Sequence, residues 1–235
     1  MRLIWCKSKT DGKVRMRKHF LYVILPHTFL VWGFFCEVIV MKKMNTRGLV
    51  VTAIMGTLSF ILMLLDFSIP IMPSFISFDV SELPSLITSF TFGPIYGVLS
   101  CLIKNLLHVF ISRTLTVGEL SNFILGSVFV FTAGIIYKHK KTRAGALIGS
   151  LSGSVAMAVV GVFSNYFIVY PTYAKLYMPM ETILGMYKAI LPSVTNLWEA
   201  LLIFNLPFTF IKGLVASIIC FLIYKKLSPI LKNKI

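Results

Sequence analysis

The chain has 235 residues, 57% of them hydrophobic and only 13% charged, with 23 Lys and Arg against 8 Asp and Glu and a formal net charge of +15. A soluble domain of this length cannot hide so much apolar surface, so the composition excludes that class and indicates a polytopic all-α membrane protein. The positive charge sits in short clusters between apolar runs, as in cytoplasmic loops, which argues against nucleic acid as a partner and for the lipid bilayer.

Residues 1–43 form a basic and apolar N-terminal extension. Arg2, Lys7, Lys9, Lys13, Arg15, Arg17 and Lys18 precede an apolar run from about Phe20 to Val40, and Lys42, Lys43 and Arg47 follow it. A span here would carry basic clusters at both ends, in conflict with the charge rule. Met44 is a natural start, so residues 44–235 are expected to form the membrane domain and the extension to be dispensable. Cys6, Cys36, Cys101 and Cys220 are scattered, with no CxxC and no Cys/His ligand spacing. Neither a metal nor a disulfide framework is indicated.

Span one is expected from about Arg47 to Phe67. Ala53/Thr57 and Thr52/Gly56 place small residues four apart, which permits close helix approach. The segment Ser68–Ser81 is too apolar for a solvated linker and reads as a loop folded over something, with Phe75, Ile76 and Phe78 as its covering side chains. Asp79 and Glu82 suit a helix N-terminus, which Ser81 can cap. From Leu83 to Ile111 the run is too long for one span. Basic clusters before span one and after Tyr137 require an even number of crossings between them, so a hairpin is expected at Gly93-Pro94.

Span three carries Lys104, Asn105 and His108 towards one side. Span four, about Thr116 to Tyr137, aligns Glu119, Asn122 and Gly126. In span five, about Ala144 to Tyr170, the series Gly145, Gly149, Gly153, Met157, Gly161 and Asn165 forms a packing stripe. Pro171–Asn205 reads as an outside segment with helical pieces at Met180–Leu191 and Val194–Phe204. Span six starts near Pro207, a good first-turn residue, and ends near Tyr224, giving six transmembrane helices with cytoplasmic core termini.

Ionisable groups inside a membrane usually mark a ligand or ion site. Counted from the outer helix ends, Lys104 lies roughly 10 Å deep and Asn122, Asn165 and Lys212 about 8 Å. Convergence at one depth predicts a pocket open to the outside and suited to a neutral, planar, amphipathic molecule. Two other classes fit the residues less well. An intramembrane enzyme, such as a lipid-modifying one, would rely on His108, Glu119 or Glu199, yet no HExxH, paired carboxylates or Ser/His/Asp set is present. A channel would need a ring of charges, and none is evident.

The ordered set GPIYG (93–97), KNLLH (104–108), TVGELSNFILG (116–126), FDVSELP (78–84), NYFIVYP (165–171) and NLPFTFIKG (205–213) resembles the riboflavin-specific substrate-binding (S) components of energy-coupling-factor (ECF) vitamin transporters. The resemblance covers roughly Met44 to the C-terminus. It implies riboflavin as transported ligand and no bound cofactor. It also implies a coupling module of one transmembrane T component and two ATPase subunits, consistent with the lack of a Walker motif. It implies ligand contacts at Asn165 and Lys212; the shared depth adds Lys104 and Asn122, and Asn105 and Thr209 complete the expected set. Relatives of this pattern carry Asn where this chain has Thr209. An Ala-xxx-Ala docking motif on the first helix corresponds to Ala53 and Thr57, with Thr in the second place. An S component for another vitamin remains the alternative.

Overall fold

The computed structural model describes residues 9–10, 13–14, 45–73, 76–112, 116–176 and 178–232. The chain divides into two compact units, Met1–Met44 and Asn45–Ile235. In the first, strands β1 (Lys9–Thr10) and β2 (Lys13–Val14) pair antiparallel. The apolar run at 20–40 lies outside the described residues.

The second unit is helical apart from one short ribbon. Helix α1 (Thr46–Met63) starts at Asn45, whose side chain accepts from Arg47 N. Strands β3 (Phe67–Ser68) and β4 (Ser77–Phe78) then pair, Phe67 opposite Phe78, and fold the first loop back on itself. Helix α2 (Glu82–Phe92) and helix α3 (Pro94–Val109) meet at Gly93, whose φ of +113° suits only glycine. Pro94 opens α3 where no N–H is needed. The expected hairpin is therefore present, and it is tight: a Cβ on Gly97 would lie 2.6 Å from Ser89 Cβ.

Helix α4 (Val117–His139) leads to α5 (Arg143–Ser164), which passes through a π turn at Asn165–Val169 into α6 (Tyr170–Leu176). After α7 (Met180–Ile190), helix α8 (Leu197–Ala200) runs through a second π turn at Leu201–Asn205 into α9 (Leu206–Lys232). Among the described residues, four helices are long and apolar enough to cross a membrane: Thr46–Met63, Val117–His139, Arg143–Leu176 and Leu197–Ile223. Helix α3 is a shorter apolar helix of 16 residues. The 11 residues of α2 span only about 16 Å, half a hydrocarbon core. All of α2 from Glu82 to Phe90 is buried, so its neighbours shield its Ser and Thr side chains from lipid.

Two expected boundaries are corrected. Span five continues to Leu176, and the last helix begins at Leu197 rather than near Pro207. Both errors came from reading a proline as a helix end. In an α-helix, Pro171 and Pro207 would leave the carbonyls of Phe167 and Ile203 without a donor and press a ring against them. Each proline instead follows a π turn, where Tyr170 N donates to Asn165 O and Leu206 N to Leu201 O. The widened turn shifts the ladder by one residue and lets the helix continue. The distances to the outer helix ends were underestimated for the same reason. Asn165 lies about 16 Å from the helix end at Leu176, and Lys212 about 22 Å from Leu197.

The packing is inverted relative to a soluble protein. Ile54, Val155, Ile218 and Leu222 are exposed, whereas Ser59, Ser85, Ser100, Ser150 and Ser154 are buried. On α1, Gly48, Thr52 and Gly56 face inward while Ala53 and Thr57 lie exposed on the outer side. The α5 stripe packs on α4, where a Cβ on Gly149 would lie 2.8 Å from Ala133 O and one on Gly153 2.7 Å from Phe129 O. These are backbone atoms of a packed helix and cannot yield. Gly153→Leu should therefore lower the melting temperature in detergent by several degrees, at about 1–3 kcal/mol for overpacking. A parent-like melting temperature would show that α4 and α5 are not in contact there.

Candidate functional site

Two buried apolar clusters organise the helical unit. One centres on Leu86, Phe90, Phe129 and Tyr137, the other on Tyr170, Ile183, Tyr187 and Phe204. Between them lies a cavity of about 710 Å³, within the range of about 300–1,000 Å³ typical of small-molecule sites. Leu125 and Met157 of the first cluster and Val169, Tyr170 and Tyr173 of the second form part of its wall. Phe67, Ile76 and Phe208 add apolar surface, and polar groups come from α4, the first π turn and α9.

Of the residues expected to converge, Ile76, Asn122, Asn165, Thr209 and Lys212 all line this cavity. Phe78 stands behind the wall, with ring centroids 5.4 Å from Phe67 and 5.9 Å from Phe208, both of which face in. Phe75 lies outside the described residues. Lys104 and Asn105 are not at the cavity, which corrects their placement. Lys104 is fully buried inside the bundle, its Nζ 2.6 Å from Glu82 Oε1. The Asn105 amide donates to Cys101 O at 2.8 Å, back along its own helix. Polarity within an apolar run identified both as notable. It carried no information on which neighbour each would meet.

The sequence reading missed Asp79. Its role was not confined to the helix N-terminus: Oδ2 accepts from Lys212 Nζ at 2.8 Å, while Oδ1 accepts from Ser81 N at 2.9 Å. Ser81 makes no cap through its own side chain; its Oγ accepts from Lys104 Nζ at 2.8 Å. Lys212 Nζ also lies 3.5 Å from Asn122 Oδ1. A third pair, His108 Nδ1 to Glu119 Oε1 at 2.7 Å, lines the cavity beside them, with Ser112 Oγ donating to Glu119 Oε2 at 2.9 Å. A buried charge is stable only when partnered. Matching the basic residues Lys104, His108 and Lys212 against the acids Asp79, Glu82 and Glu119 was the signal that could have found these pairs.

Two further polar residues were missed. Asn205, at the end of the second π turn, and Tyr170, just after the first, both line the cavity. Tyr187 OH donates to Asn205 Oδ1 at 2.7 Å, Asn205 Nδ2 donates to Tyr170 OH at 3.2 Å, and the two hydroxyls lie 2.5 Å apart. With Tyr170 donating to Tyr187, three donors and three acceptors close into a ring. At the first π turn, Asn165 Oδ1 accepts from Ser121 Oγ at 3.2 Å.

The arrangement is built for binding. The wall carries both charges and amides and the apolar surfaces of Met, Leu, Phe and Tyr, so an amphipathic molecule can satisfy both. Glu199 is spent on the start of α8, accepting from Thr195 N and Oγ1. Among the described residues no three His, Cys, Asp or Glu side chains are grouped to hold a metal ion.

Comparison with known proteins gives concordant matches. The family model described as "ECF transporter, substrate-specific component" matches residues 47–224. "Riboflavin transporter RibU" of Staphylococcus aureus is 32% identical over 195 residues, covering 82% of this chain and 97% of that protein. "Riboflavin transporter FmnP" of Bacillus subtilis is 30% identical over 190 residues, covering 79% and 94%. A solved structure of the S component of a bacterial ECF transporter superposes with a TM-score of 0.64 at 32% identity, covering 80% of this chain and 99% of that one.

Proposed function

The chain belongs to the family of substrate-specific components of ECF transporters, and from that premise we propose that it captures riboflavin in the cavity between the two apolar clusters. It is an integral membrane protein and a binding subunit, not an enzyme. Uptake is driven by the partner module, a T component with two ATPase subunits.

The observation that carries the choice of ligand is the mixed lining of the 710 Å³ cavity. The isoalloxazine ring has an apolar dimethylbenzene edge and an opposite edge of carbonyls, ring nitrogens and one N–H. Lys212 donates to the acceptors, and the amides of Asn122, Asn165 and Asn205 can donate and accept at once. Thr209 contributes a single hydroxyl. Phe67, Ile76 and Phe208 can cover the ring and exclude water. Titrating purified protein with riboflavin and following the loss of flavin fluorescence tests this. Saturable quenching is expected; no quenching, with saturable binding of another vitamin, would reassign the ligand.

We propose further that the cavity opens away from the cytoplasm. Lys138, Lys140, Lys141 and Arg143 mark the cytoplasmic side by charge. Asn165 follows the 22 residues of α5, about 33 Å along the axis, which is one hydrocarbon thickness. Both core termini are then cytoplasmic. A cysteine at Thr182 should react with an impermeant thiol reagent on intact cells and one at Thr142 should not; the reverse pattern would invert the topology. Ala53 and Thr57, exposed on α1, are proposed to face the T component. Residues 1–43 are proposed to be dispensable, since the family match begins at residue 47. A chain starting at Met44 should bind riboflavin with the affinity of the full chain, and a loss beyond threefold would assign the extension to the fold.

A further inference from the structure

Lys104 and Glu82 are fully buried and touch no part of the cavity. Replacing a buried ion pair with apolar residues is often neutral or stabilising, so stability alone does not account for this one. Its position suggests what else it does. Lys104 Nζ grips two consecutive side chains at the start of α2, Ser81 Oγ at 2.8 Å and Glu82 Oε1 at 2.6 Å. Glu82 is confined on its other sides, with Cys101 Sγ 3.6 Å from Oε2 and the bare α-carbon of Gly126 close enough that a Cβ there would fall 2.6 Å from the same oxygen. Ser81 N holds Asp79 Oδ1 at 2.9 Å, and Asp79 Oδ2 holds Lys212 Nζ at 2.8 Å. Lys212 and Asp79 line the cavity.

We propose that Lys104 is a positioning residue for ligand binding, fixing the Lys212 ammonium at the cavity wall through Ser81 and Asp79 without touching the ligand. This rests on the riboflavin reading of the same cavity. Lys104 clamps the first turn of α2, the clamped backbone aims the Asp79 carboxylate, and that carboxylate sets where the ammonium stands. Ligand affinity then depends on a side chain two residues removed from the cavity.

The test is a double-mutant cycle read by riboflavin titration. Lys104→Met combined with Glu82→Leu removes the pair and leaves no charge stranded. It should weaken binding about fivefold or more in the parent, and less than about twofold when Asp79→Asn and Lys212→Met are already present. A merely structural role would lower affinity equally in both backgrounds, and that result, or no loss in the parent, overturns the proposal. Ser81→Ala cuts the link while sparing the ion pair, so it carries the same cycle should the first variant fail to fold. A parent that binds no riboflavin overturns this proposal together with the reading beneath it. A parent that binds, with Lys104 variants indistinguishable from it, overturns this proposal alone.

Discussion

Lys212→Met is expected to weaken riboflavin binding at least tenfold and also to destabilise the ligand-free protein. The binding loss follows from removing a charged donor at the cavity wall. Such a truncation costs about 2–3 kcal/mol, or roughly thirty- to a hundredfold in dissociation constant. The stability loss follows from Asp79, whose Oδ2 lies 2.8 Å from the Lys212 ammonium with both side chains buried. Breaking a buried pair from one side leaves an uncompensated charge and costs about 3–5 kcal/mol. With water and ligand as the only offsets for a buried ammonium, the same substitution would keep or raise stability. The ion pair reverses that sign. Asp79→Asn together with Lys212→Met should recover most of the melting temperature but not the affinity. Thermal unfolding in detergent and fluorescence titration separate the two effects. A single variant as stable as the parent would show that the ion pair contributes nothing to the fold.

What the sequence made legible was polarity out of place. Asn122, Asn165, Thr209 and Lys212 interrupt apolar runs on three different helices, and all four reach the cavity. The same logic failed for Lys104, since an ion pair in the bundle interior and a ligand contact leave the same mark in a sequence. Only a partner search separates them, and Asp79 and Glu82 had been assigned to a helix N-terminus. The Gly93-Pro94 hairpin was legible because charge on both sides demanded an even number of crossings. The ends of the last two long helices were not, because Pro171 and Pro207 carry the ordinary signature of a boundary. The chain avoids the break by a π turn, and no local rule distinguishes a proline that ends a helix from one that follows such a turn. The two sites share one layout in the structure: each π turn of five residues is followed by one residue and then the proline.

The π turns place Asn165, Tyr170 and Asn205 at the cavity wall, so what holds them in register governs the site. Tyr170 comes from the long helix Arg143–Leu176, Asn205 from Leu197–Ile223 and Tyr187 from α7, and their hydrogen-bonded ring joins the three elements. Asn205 accepts from one tyrosine and donates to the other, so the ring closes through its side chain. Asn205→Leu fills similar volume but takes the acceptor from the Tyr187 O–H and the amide donor from Tyr170. An unsatisfied buried donor costs about 1–3 kcal/mol, and a cooperative ring loses more than one bond when it opens. The variant should lose at least about 2 kcal/mol of stability and weaken riboflavin binding tenfold or more, since both π turns relax where they face the ligand. Tyr187→Phe is the milder probe. It keeps the ring packed against Phe204 at 5.4 Å and deletes one hydroxyl that does not line the cavity. Its affinity should fall less than that of Asn205→Leu, and in the same direction. If Asn205→Leu loses stability but binds riboflavin as the parent does, the ring merely braces the outer helices and the second π turn takes no part in shaping the site.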